Sequence, residues 1–119
     1  MVSHPSSEAK TVAQDVLVVL CTCPDAAVAK RLAGGLVEGR LAACVNVLPE
    51  IRSIYRWQGE TCEEAEVLMI IKTTRGAFPE LERWLQANHP YDVPEVVALA
   101  VDAGSRAYLD WVADGASGR

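Results

Sequence analysis

With 119 residues, half of them apolar, the chain has material for one domain whose folding buries roughly two-thirds of its unfolded surface, and no room for a second. Sixteen acidic against eleven basic side chains give a net charge of −5, and the basic residues are scattered, which argues against nucleic acid as the main partner and favours cationic ligands. The longest apolar runs, such as Val67 to Ile71, are broken by charge well short of the roughly 20 residues that a membrane helix needs.

Residues 1–14 are polar and lack the apolar stretch of a secretory signal, so they read as a flexible tail ahead of a single domain at 15–119. The expected compartment is a reducing cytoplasm. Cys21, Cys23, Cys44 and Cys62 have no Cys-x-x-Cys spacing, and free thiols are the expectation there.

Val16 to Leu20, followed by Cys21 and Thr22, is short and β-branched, which predicts a central strand buried on both faces. Pro24 suits the first position of a helix with Asp25 in its first turn; Val28, Leu32 and Leu36 supply the apolar face and Gly39 the stop. A second strand runs from about Leu41 to Leu48, is kinked at Pro49, and resumes with Ile51, Ser53, Tyr55 and Trp57 on one face. Gln58-Gly59 is the turn into a third strand, Glu64 to Thr74. Both arms are about twice the usual strand length, further than one helix can cover, so the hairpin is expected to pair or pack between protomers of a homo-oligomer. A second helix opens near Pro79 and ends at His89-Pro90, Val96 to Val101 forms a fourth strand, and Ser105 caps a last helix. The order β-α-β-β-α-β plus a C-terminal helix, with right-handed crossovers, predicts an α+β, ferredoxin-like fold with a long central hairpin.

The densest polar chemistry lies in His89-Pro90-Tyr91-Asp92-Val93-Pro94-Glu95. Two prolines stiffen the run, and rigid polar loops are where sites are usually built; the alternative is a plain connection in which His89 caps the helix and Tyr91 packs. Cys21 and Cys23, two apart on a strand, point to one side and suit a soft ion such as Cu(I), with His89 as a third donor; either thiol could equally be a small buried hydrophobe. Glu64 and Glu66 share a strand face with Lys72, either as a solvated run or as the lining of a pocket. There is no Gly-x-Ser-x-Gly, Walker loop or dinucleotide fingerprint, so the expectation is that the protein is not an enzyme.

Val19-Leu20-Cys21-Thr22 with Pro24-Asp25, Leu41-Ala42-Ala43-Cys44-Val45-Asn46, Tyr55-Arg56-Trp57, Glu64-Ala65-Glu66 with Lys72-Thr73, His89-Pro90-Tyr91 with Pro94-Glu95, and Tyr108-Leu109-Asp110-Trp111 together resemble the CutA divalent-cation tolerance proteins over about residues 15–113. The resemblance implies a ferredoxin-like subunit, a tight homotrimer built through long hairpin strands, a cytoplasmic location, a role linked to copper and other divalent cations, and kinship in shape with the PII signalling proteins, whose trimers bind effectors in clefts between subunits. By position, Cys21 and His89 correspond to residues associated with copper in that family. Asn88 stands where some members carry a second histidine, which removes one nitrogen donor. The resulting expectation is a metal-binding or PII-like sensing trimer, with Cys21 and His89 as metal ligands and Glu66, Lys72, Tyr91 and Glu95 lining an inter-subunit cleft. The rival expectation is a structural or adaptor trimer, or a small-molecule binder, that handles no metal directly.

Overall fold

The structure, a computed structural model, describes residues 12–118. The expected tail therefore falls mostly outside the described residues; its last two residues, Ala13 and Gln14, form with Asp15 a 3-10 turn leading into the first strand.

β1 (Val16–Cys23) lies between the third and fourth strands, where its β-branched run predicts it. Leu17, Val19, Cys21 and Cys23 are buried, whereas Val18, Leu20 and Thr22 are half-buried. The expectation of burial on both faces is corrected here, because the two large helices cover only one side of the sheet. α1 (Ala26–Glu38) starts two residues after Pro24, so Pro24 is not its first residue; Asp25 is the N-cap instead, its Oδ1 accepting from the Val28 N–H at 2.8 Å. Leu32 and Leu36 fall on the buried face of α1 and Gly39 closes the helix.

β2 (Cys44–Trp57) and β3 (Glu60–Thr74) form the long hairpin. Gln58 and Gly59 both have positive φ, 51° and 81°, the pattern of a two-residue turn whose twist matches the strands it joins. β2 begins later than expected and β3 earlier, because Leu41 and Ala42 are drawn into the core as a connection while the acidic stretch at 60–63 joins the ladder opposite Ile54 to Trp57. Leu48 pairs with Leu68 but Ile51 pairs with Glu66, so β2 carries one extra residue at Pro49-Glu50, and Glu50 takes φ 53°. The bulge switches parity. Cys44, Asn46 and Leu48 before it share a sheet face with Ile51, Ser53, Tyr55 and Trp57 after it.

α2 (Phe78–Asn88), β4 (Val97–Ala100) and α3 (Arg106–Gly115) complete the chain, with Pro79 in the first turn of α2 and the Ser105 hydroxyl accepting from the Tyr108 N–H. The sheet order is β2-β3-β1-β4, antiparallel throughout, which is the ferredoxin-like arrangement. Leu32, Leu36, Leu81 and Leu85 from the helices pack on Leu17, Val19, Met69 and Ile71 of the sheet, while Leu109 and Val112 of α3 make a second cluster with Val16. β1 accompanies β3 only as far as the Cys23–Val67 pair, so the outer hairpin projects alone and the molecule measures 53 × 25 × 23 Å.

Two adjacent glycines in α1 make a test of this packing. A Cβ on Gly35 would lie 2.5 Å from Trp84 of α2, whereas Gly34 faces open space. Gly34→Ala is expected to stabilise by up to about 1 kcal/mol through helix propensity, and Gly35→Ala to destabilise by about 1–3 kcal/mol by displacing the indole. Urea midpoints of the two variants check the opposite signs.

Candidate functional site

Where α2 ends, Pro90 cannot continue the helix, and the His89 N–H closes its last turn on the Leu85 carbonyl at 2.8 Å. The imidazole then reaches across to β1. Its Nδ1 accepts from the Tyr91 N–H at 3.1 Å, so the proton resides on Nε2, which donates to the Thr22 carbonyl at 2.8 Å. The ring is only 7% exposed and stacks at a tilt on the Tyr91 ring, centroids 4.7 Å apart.

Cys21 and Cys23 project from the helix-covered face of β1 beside this histidine, and the donor atoms of Cys21, Cys23 and His89 all lie within 4.8 Å of one another. A hydrogen bond between the thiols pushes the Cys21 pKa up, and burial adds to the rise; the same bond pushes Cys23 down. Two sulfurs and an imidazole nitrogen suit copper or zinc and do not suit magnesium or calcium, which take oxygen ligands. Among the described residues this is the one such cluster of three His, Cys, Asp or Glu side chains.

The chain that leaves His89 crosses the end of β1 and emerges on the other face of the sheet. There Tyr91, Asp92, Val93 and Glu95 meet Thr22 and the hairpin residues Tyr55, Trp57, Glu64 and Glu66 around a cavity of about 500 Å³. The Tyr91 hydroxyl donates to Glu66 at 2.7 Å and the Tyr55 hydroxyl donates to Glu64. Burial, with the Glu66 hydrogen bond and charge, raises the pKa of Tyr91.

Of the four residues expected to line an inter-subunit cleft, Glu66, Tyr91 and Glu95 come together within one subunit, and that subunit's Lys72 lies apart from them. Lys72 has the same face as Glu66, but six residues of extended strand, about 20 Å, separate them. Its ammonium donates to Asn46 Oδ1 and lies 3.9 Å from Cys44 Sγ, whose other neighbour is the Tyr108 hydroxyl at 4.0 Å. Sequence reasoning did not assign the Thr22 carbonyl, Tyr55 and Trp57 to the site. The alternation of Tyr55 and Trp57 was readable; their placement opposite the 91–95 segment depends on tertiary structure.

A ferredoxin-like protein with a buried cluster of two thiols and one imidazole is the class these features define. The family model for the CutA1 divalent ion tolerance protein matches residues 17–115. The divalent-cation tolerance protein CutA of Thermus thermophilus is 56% identical over 95 residues, covering 80% of this chain and 92% of that protein, and the solved structure from that organism superposes with a TM-score of 0.80 over 82% of this chain and 94% of the other. Human protein CutA is 50% identical over 97 residues, 82% of this chain and 54% of its own length, so this chain spans about half of that relative. The crystal structure of CutA1 from Oryza sativa is 44% identical, with a TM-score of 0.82 over 84% of this chain and 92% of that one. The chain belongs to the CutA1 divalent ion tolerance family.

Burial, and Cys44 beside it, raise the pKa of the Tyr108 phenol above its ordinary 10.0. The fold therefore favours the neutral phenol, so its contribution to stability is whole below pH 10 and is lost as pH rises through the raised value. Tyr108→Phe is expected to lose less stability than the parent on going above pH 10, read from urea midpoints across an alkaline series.

Proposed function

We propose that this protein binds a soft cation, copper or zinc, through Cys21, Cys23 and His89, and signals occupancy as a homotrimer in the manner of PII-like sensors. The observation that carries the reading is the meeting of three soft donors, one from the end of α2 and two from β1, inside a family whose members are named for divalent-cation tolerance. Cys23 supplies the third donor that Asn88 withholds.

Both nitrogens of His89 are engaged before any ion arrives. Coordination takes one of them from its present partner, so capture competes with the Thr22–His89–Tyr91 contacts and alters the segment that forms the pocket wall. This competition couples occupancy to the far face of the sheet, and it requires no turnover; the reading is of a binding protein and not an enzyme.

Assembly is supported by what a single subunit leaves uncovered. Val97 and Leu99 of β4, Leu48, and the projecting Ile54, Tyr55 and Trp57 are all exposed, more apolar strand surface than an isolated subunit comfortably shows to water. Three copies packing their hairpin arms would cover it. No helix among the described residues is long and apolar enough to cross a membrane; free thiols favour a reducing compartment such as the cytoplasm, although relatives from rice and Arabidopsis thaliana are named as chloroplastic and one from Archaeoglobus fulgidus as periplasmic. The engaged state of His89 favours a second reading, an adaptor trimer that holds no metal.

Native mass spectrometry of the reduced protein with Cu(I) or Zn(II) separates the two. The expected result is a trimer with one ion per subunit, lost in Cys21→Ser, Cys23→Ser and His89→Ala; a trimer that stays empty at stoichiometric metal selects the adaptor. Trp57→Ala is expected to shift the trimer towards monomer on dilution, whereas a variant that is wholly trimeric at nanomolar protein contradicts packing through the hairpin arm.

A further inference from the structure

The pocket on the open face carries a charge pattern that the soft-donor cluster does not use. Its cavity of about 500 Å³ is lined by Thr22, Tyr55, Trp57, Glu64, Glu66, Tyr91, Asp92, Val93 and Glu95, which amounts to four carboxylates, three aromatic rings and no basic side chain. We propose that this pocket binds a small organic cation, an alkyl chain carrying ammonium groups, with the carboxylates as counter-charges and the aromatic rings as the wall.

Charge decides the sign of the ligand. Four carboxylates repel a phosphate or a nucleotide, and Lys72, the strand's own ammonium, is about 20 Å away on the same face. The arrangement of the carboxylates decides between a metal ion and an organic one. A chelated ion needs donors that converge, and among the described residues only Cys21, Cys23 and His89 place three such atoms within 4.8 Å of one another. The pocket's carboxylates are spread around a cavity far larger than one ion, a layout that fits separated charges along a flexible chain.

The walls fit the same class. Val93 at the rim is 87% exposed, a costly position for an apolar group unless something lies against it. Indole and phenol faces attract ammonium groups and pack against methylenes at once. The carboxylates are held in place: Tyr55 donates to Glu64 and Tyr91 to Glu66, which orients each anion and leaves it further lone pairs for a ligand. The hairpin bulge is what makes this possible, because the extra residue at Pro49-Glu50 puts Tyr55 and Trp57 on the same face as Glu64 and Glu66.

The test is calorimetric titration of the assembled, metal-free protein with 1,4-diaminobutane, alongside ATP and magnesium chloride at matched ionic strength. The expected result is saturable binding of the diamine at one per subunit, about tenfold weaker in Glu66→Gln and in Glu95→Gln, with no saturable heat from ATP. Glu66→Gln keeps an acceptor for Tyr91, so the fold is preserved. Glu63→Gln removes an equal charge outside the pocket, where Glu63 faces Arg52 at 3.8 Å, and is expected to bind as the parent does. Equal weakening in Glu63→Gln overturns the proposal in favour of net charge alone. Displacement of the diamine by magnesium at matched ionic strength overturns it in favour of a hard metal ion. Absence of saturation overturns it outright, as it would if a neighbouring subunit fills the pocket. None of these outcomes bears on Cys21, Cys23 or His89, so the metal reading stands or falls separately.

Discussion

One buried hydrogen bond, from His89 Nε2 to the Thr22 carbonyl, ties the end of α2 to the end of β1. It is local in cost, with a net worth of about 1 kcal/mol and a larger penalty if either group is left buried and unmet. Its geometric reach is wider. It sets the imidazole beside Cys21 and Cys23, fixes the tautomer through the Tyr91 N–H, and directs the 91–95 segment around the end of β1 to the opposite face of the sheet. Pro90 and Pro94 fix φ at two points of that segment, which bends at residues 90–93 on its way from α2 to β4. A soft-donor cluster under the helices and an anionic pocket on the open face are in this way served by the same few residues.

The second constraint is the bulged hairpin. Without the extra residue at Pro49-Glu50, the alternation would carry Tyr55 and Trp57 to the face away from Glu64 and Glu66, and the pocket would lose two of its rings. The projecting arm also leaves strand edges and aromatic surface that a single subunit cannot bury. The proposed assembly and the proposed ligand pocket therefore draw on the same surface.

Much of this architecture is legible in the chain. The β-branched run at 16–20, the apolar spacing of Val28, Leu32 and Leu36, and the length of the hairpin arms specify the sheet, the first helix and the overhang, because hydrophobic period and strand length are local properties. Helix ends are less so. Pro24 and Asp25 compete for the N-terminus of α1, and Asp25 wins by capping the Val28 N–H, so the helix starts two residues later than proline alone suggests. Cys21 and His89 are identifiable as candidate donors from residue type and order. The separation of Lys72 from Glu66 is not, since a shared strand face says nothing of distance along it; nor is the role of the Thr22 carbonyl, a backbone group that no residue identity marks. The acidic run at 60–66 reads as a solvated face until the 91–95 segment is seen to lie over its inner end.

The most direct test of the account is the nitrogen-15 spectrum of the His89 imidazole together with the Tyr91 amide, before and after one equivalent of Cu(I); with two histidines in the chain, the assignment is simple. The account predicts a neutral ring protonated on Nε2 in the metal-free protein, and on addition of the ion a metallated nitrogen with a displaced Tyr91 amide resonance. A ring protonated on Nδ1, or bound metal that leaves both signals where they were, contradicts the claim that His89 joins the soft-donor cluster to the pocket.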